Sequence, residues 1–207
     1  LYFYFTPQVL DLLDRHGARA SFFCIGRHVR QHPELVREIV ARGHTVENHG
    51  DADSPVFALW GMARMRRDLL AMQQALQEAG VAPARFFRPT AGFRNPLLDP
   101  VLARMGLRLA MWSRRSFDTR DGNASRVLAR LTRGLTAGDI LLLHDGNSAR
   151  TPAGRPVVLE VLPQLLQQLE AAGLQPVHLR QAFAAQPLAL PMSPAQPLHA
   201  HLSPQDP

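Results

Sequence analysis

Apolar residues recur along the chain with two spacings. In VLDLLDRHG, HPELVREIVARGH and MARMRRDLLAMQQALQEAG they return every three to four positions, the pattern of helices that bury one face. Between these stretches lie short apolar runs, ARASFFCIG, TVENH, RFFRPTAG, LRLAMWS and DILLLHD, which read as buried strands with their exit loops. Thr6 and Pro7 predict a helix start, with Thr6 as the cap and proline at the first helical position. Gly17 and Gly43 mark helix ends. The remaining helices are predicted over ALWGMARMRRDLLAMQQALQEAG, PLLDPVLARMG, NASRVLARLTRGL and PVVLEVLPQLLQQLEAAG, the last running through Pro163, and LQPVHL is predicted as a final strand. Strict alternation of about six helices with about six strands predicts an α/β fold with mostly parallel strands. Periodicity alone does not choose between a barrel and an open sheet.

The domain is predicted over residues 1–185. From residue 186 the chain turns proline-rich, LPMSPAQPLHAHLSPQDP, and reads as a flexible extended tail in which His199 and His201 are incidental. A length of 207 residues suits one domain with a sizeable core. No apolar run approaches the roughly 18–20 residues that span a bilayer. The start LYFYFTPQV has neither the basic region nor the cleavage site of a signal peptide, so the sequence as given reads as cytoplasmic, with the cell envelope open if a leader precedes it. The formal charge is +6 and every basic residue is arginine, scattered rather than gathered in a tract with aromatics, so a nucleic-acid partner is not expected. Cys24, the single cysteine, lies in an apolar run and reads as a small core residue.

In parallel α/β folds functional side chains gather at the C-terminal ends of strands. Four polar groups fall there: His49 to Asp53, the Arg88 to Gly92 loop, Asp118 to Asp121, and His144 with Asp145. His49 is the best metal-ligand candidate. Asp53, four residues on, can ligate through oxygen or can close the turn before Ser54 and Pro55.

The ordered set ASFFCIGRHVRQHPELVREIVARGHTVENH, FFRPTAG, WSRRSFDTRD and DILLLHD resembles the polysaccharide deacetylases of the NodB-homology type, and the resemblance runs to about residue 183. These are carbohydrate esterases that remove acetyl groups from sugars with a divalent metal. The resemblance implies a distorted, incomplete (β/α) barrel and a glycan or amino-sugar substrate. It implies His49 and Asp53 as metal ligands, zinc being the expected ion, with Asp53 where the family carries a second histidine. Arg88 would orient a catalytic aspartate, the Ala91 N–H would serve the oxyanion, and Leu142 would line the acetyl-methyl pocket. Asp118 would hold His144, the acid for the departing amine. Gly122 stands where the family has tryptophan. The family's first strand ends in Thr-Phe-Asp-Asp-Gly-Pro, whose carboxylates act as base and ligand, yet only LYFYF precedes Thr6 here, at best a surrogate strand. The expected function is therefore hydrolysis of acetyl groups on N-acetylhexosamine glycans, inactive in this chain if those carboxylates are absent. The alternative is a non-catalytic carbohydrate-binding or scaffold homologue of the same fold.

Overall fold

The computed structural model of the chain describes residues 5–184. The surrogate strand proposed for residues 1–5, apart from Phe5, and the proline-rich tail lie outside the described residues. The elements in order are α1 (Thr6–Arg15), β1 (Ser21–Cys24), α2 (Gly26–Gln31), α3 (Pro33–Ala41), β2 (Thr45–Asn48), α4 (Met62–Glu78), β3 (Phe86–Phe87), α5 (Leu98–Met105), β4 (Arg108–Leu109), β5 (Arg114–Arg115), α6 (Ala124–Thr132), β6 (Leu141–Leu142), α7 (Val157–Ala171) and α8 (Leu179–Ala182). All strand pairs are parallel. One sheet runs β1-β2-β3-β4, with Ser21 opposite Thr45 and Phe87 opposite Leu109, and a second pairs β5 with β6. This is the α/β fold expected, a barrel left incomplete in two places. No helix among the described residues is long and apolar enough to cross a membrane.

The first interruption lies inside LRLAMWS, predicted as one strand. The Ala110 N–H donates to Phe87 O at 2.8 Å, whereas the N–H groups of Ser113 and Arg114 both donate to Ile140 O. The chain thus leaves β3 and joins β6 within four residues, so only Arg108–Leu109 of the predicted strand is strand, as β4, and β5 begins just beyond it. The second interruption lies between β1 and β6, where no described strand runs. Outside it α1 packs on α7, leaving a slot walled by Leu13, Phe23, Leu141, Leu143 and Leu162.

The core fills the space between sheet and helices, with Leu10, Ile39, Leu69, Met72, Leu98, Leu131 and Val161 sealed from solvent. Three further stretches differ from the expectation. Phe5, not Thr6, caps α1, so Thr6 is helical and its side chain goes elsewhere. Gly26–Gln31 is a separate one-and-a-half-turn helix, too short for a period to show. LQPVHL is irregular and then helical: Pro176 has no N–H for a ladder, and Arg180 on α8 reaches back into the sheet. There Glu47, fully buried, accepts from Arg180 Nε at 2.7 Å and from the N–H groups of Arg85 and Phe86 at 2.8 and 3.0 Å.

Candidate active site

A cavity of about 590 Å³ opens where the strands end, and it continues into the slot between β1 and β6. His49, Asp53, Arg88, Ala91, Leu142 and His144 all line it. Asp118 stands behind His144.

His49 directly follows β2, and its N–H extends the ladder to Cys24 O at 3.0 Å. Its Nδ1 lies 2.5 Å from Arg88 O. A carbonyl can only accept, so Nδ1 carries the proton and Nε2 keeps its lone pair. Burial lowers the pKa of the ring to about 4, which keeps it neutral at physiological pH. An imidazole oriented by a carbonyl, with its second nitrogen bare, has the form of a metal ligand.

Asp53 sits at φ +49, in the left-handed region, and accepts from the Thr90 hydroxyl at 3.0 Å. Its carboxylate thus reaches across to the Arg88 loop instead of closing its own turn. The His49–Asp53 loop is pinned from below by Asp68 of α4, which accepts from the N–H groups of Asp51 and Ala52 at 3.0 Å each. Gly50, at φ +77, lets that carboxylate approach: a Cβ there would lie 2.4 Å from Asp68 Oδ2. Nothing in the helical spacing of α4 marks Asp68 as a partner of this loop.

Arg88 directly follows β3 and is buried. Its Nε donates to Ala110 O at 3.0 Å and its Nη2 to Met111 O at 3.2 Å, and the guanidinium lies 4.0 Å from the centre of the Phe23 ring. Among the described residues it pairs with no carboxylate, neither a catalytic nor a structural one. Burial lowers its pKa to about 10, so the cation persists at neutral pH without a counter-charge. In the loop that follows, Ala91 adopts φ +54, and its exposed N–H meets no acceptor in the described chain. Gly92 is required beneath the Trp112 indole, where a Cβ would come within 2.6 Å.

Asp118 is fully buried and saturated. Its Oδ2 accepts the His144 N–H at 2.7 Å, and its Oδ1 accepts His144 Nδ1–H at 2.8 Å and the Ser116 hydroxyl at 2.7 Å. His144 is thereby fixed in position and tautomer, with Nε2 left for the cavity. Asp145 is not free for chemistry: the Thr6 hydroxyl donates to it at 2.5 Å, tying α1 to the end of β6, and burial raises its pKa. Asp121 lies outside the cavity, paired with Arg126 and Arg130. Gly122 is closed to any side chain, because a Cβ would meet Arg150 O at 2.0 Å.

Among the described residues no group of three His, Cys, Asp or Glu side chains could hold a metal. His49 and Asp53 supply two donors of suitable chemistry, one short of the usual catalytic zinc set. Asp53 and Asp145 are the only carboxylates lining the cavity among the described residues. On their own these residues do not fit a catalytic metal.

Known proteins share this architecture. The family model described as polysaccharide deacetylase matches residues 3–110. A peptidoglycan-N-acetylglucosamine deacetylase of Bacillus cereus is 30% identical over 168 residues, which is 79% of this chain and 76% of the relative. A family 4 carbohydrate esterase from Streptomyces lividans, solved with acetate, superposes with a TM-score of 0.74 at 31% identity, covering 83% of this chain and 84% of that one. A family 4 pseudoenzyme from Bacillus anthracis has the same fold, with a TM-score of 0.78 at 21% identity over 87% of this chain and 61% of its own. With more than half of its length matched by the family model and a relative this similar over most of both chains, the chain belongs to the polysaccharide deacetylase family.

Proposed function

We propose that this site is built to remove acetyl groups from N-acetylhexosamine glycans. The observation that carries the reading is the pair of buried Asp118 and half-buried His144, with His144 facing the same cavity as the bare Nε2 of His49. In this reading His144 acts in its doubly protonated form: it gives its Nε2 proton to the departing amine and becomes the neutral Nδ1–H ring, while Asp118 holds Nδ1 throughout and balances the charge of the imidazolium. The unpaired Ala91 N–H donates to the oxyanion as the carbonyl carbon becomes tetrahedral. Leu142 lines the space for the acetyl methyl.

The family's deacetylases are in general metal-dependent. Here His49 Nε2 and the Asp53 carboxylate are the donors that a divalent ion such as zinc would use. The third donor and the general base have no counterpart among the described residues, so the acid side of the reaction is assembled and the base side is not. Absence of a general base commonly lowers rate by ~10²–10⁴-fold. A second reading is a glycan-binding homologue without catalysis.

The deciding experiment measures acetate release from N-acetylglucosamine oligomers, with added divalent metal, by three proteins. These are the chain as given, a variant preceded by a strand ending in Asp-Asp-Gly-Pro, and that variant with Asp53→His. Activity appearing in the second protein supports the deacetylase reading with Asp53 as a ligand. Activity only in the third makes Asp53 the lesion. Inactivity of all three, with oligomer binding unchanged by a chelator, supports the non-catalytic reading.

A further inference from the structure

Beside the candidate active site, β5 and α6 enclose a second cleft of about 610 Å³ lined by Arg114, Arg115, Arg126, Arg130, Arg133 and Phe117. Five guanidinium groups meet there, and two carboxylates answer them. Arg114 is engaged in the fold: its Nε donates to Asp139 Oδ2 at 2.7 Å and its two terminal nitrogens donate to the carbonyls of Arg133 and Gly134. Arg126 and Arg130 share Asp121, each at 2.9 Å. Arg115 and Arg133 form no ion pair among the described residues. The cleft therefore keeps three positive charges in excess, five arginines less Asp139 and Asp121.

Two further features give this charge a direction. Arg115 lines both this cleft and the cavity that holds His49 and His144, so the two share a wall. Phe117 is 44% exposed at φ +59, with the Arg115 guanidinium 4.8 Å from its ring centre. A chain of sugar rings placed in the cavity would continue over Arg115 with an apolar ring beside it. The three excess charges of this cleft lie together beside the cavity, which suits one anionic substituent better than the spaced phosphates of a nucleic acid.

Resting on the deacetylase reading above, we propose that this cleft is a subsite for a carboxylate-bearing sugar next to the reacting N-acetylhexosamine, so that the glycan favoured is acidic rather than neutral. Arg115 and Arg133 are the two forks left to grip the carboxylate, and arginine's planar fork matches that group.

The test is calorimetric binding of two probes of equal ring number, a neutral N-acetylglucosamine oligomer and an alternating N-acetylglucosamine and N-acetylmuramic acid oligomer. The acidic oligomer is expected to bind about tenfold tighter at low salt, the scale of one charge-assisted pair. That ratio should fall toward one in Arg115→Gln/Arg133→Gln and decline partway in Arg133→Gln, a substitution at an exposed side chain with no ion pair to lose. Equal binding of both probes overturns the subsite and leaves the glycan reading standing. Failure of both to bind removes the glycan reading and the subsite with it. A single-stranded oligonucleotide that binds tighter than either glycan, and loses its binding in the double variant, overturns the proposal in favour of nucleic acid.

Discussion

Asp68→Ala tests whether the loop that carries His49 and Asp53 is held from α4. Asp68 accepts two backbone N–H bonds of 3.0 Å, from Asp51 and Ala52. A hydrogen bond to a charged acceptor contributes about 1.5–3 kcal/mol net, so two give at most about 6. Two corrections reduce that. Burial raises the pKa of Asp68, so part of the gain is cancelled by desolvating the carboxylate. Ala52 is exposed, and water can replace its partner. The expected loss in urea unfolding is therefore about 2 kcal/mol. The local effect is more specific: exchange protection of the Asp51 and Ala52 amides should fall by about tenfold or more, because 1.4 kcal/mol is tenfold in an opening equilibrium. Asp68→Asn keeps one acceptor oxygen and should lose roughly half as much. If those two amides exchange at the same rate in Asp68→Ala and in the parent, the loop is held by something else.

Arg180→Ala should cost about 3–5 kcal/mol in urea unfolding, since it strips the charge partner from the fully buried Glu47; a loss under about 1 kcal/mol would contradict the clamp. His44 is buried, its Nδ1 accepts from the Ala20 N–H at 3.2 Å, and burial lowers its pKa from 6.5 to about 4. The unfolded chain therefore binds this proton first as pH falls, and His44 should make stability decline between about pH 6.5 and 4, by up to about 3 kcal/mol. His44→Gln should flatten that part of the pH-stability curve relative to the parent, and an unchanged slope would contradict the assignment. Gly122→Ala should destabilise by about 1–3 kcal/mol or shift the Arg150 backbone, because the clash at 2.0 Å is with a carbonyl oxygen that cannot rotate away; thermal melting reads the first and amide chemical shifts the second.

How much of this could be read from the sequence depends on the range of the interaction. SFFC, an apolar run, and TVEN, a short stretch after the helix-ending Gly43, pair with each other in register, so local pattern placed them correctly. LRLAMWS also looked like one strand, yet it stops at Leu109, and its early end depends on where Phe87 O and Ile140 O lie, which no local pattern encodes. LQPVHL failed for a related reason, since Arg180 finds its carboxylate on β2, 133 residues away in sequence. The site shows the same split. His49, Asp53, Arg88, Ala91, Leu142 and His144 fall on one cavity because each ends a strand or follows one. What orients them was hidden. A backbone carbonyl sets the tautomer of His49, and Asp68 reaches its loop from the middle of an amphipathic helix. Gly122, read as a lost tryptophan, is also demanded by the Arg150 carbonyl above it.

Arg88 ties the incomplete barrel to the incomplete site. A buried guanidinium is normally matched by an anion, and among the described residues this one has two carbonyls and a ring face. Carbonyls satisfy its N–H bonds but carry no counter-charge, and burial of the cation lowers its pKa. The ring it covers belongs to Phe23 of β1, the strand that borders the slot toward β6. A carboxylate entering at the end of that slot would meet the cation in a setting of low dielectric, where their attraction is strong and the loss of hydration at Arg88 has already been incurred. The same carboxylate would stand on the cavity wall shared by His49 and Asp53. Among the described residues the gap between β1 and β6, the cation without a carboxylate and the two-donor set therefore meet at one place on the cavity wall.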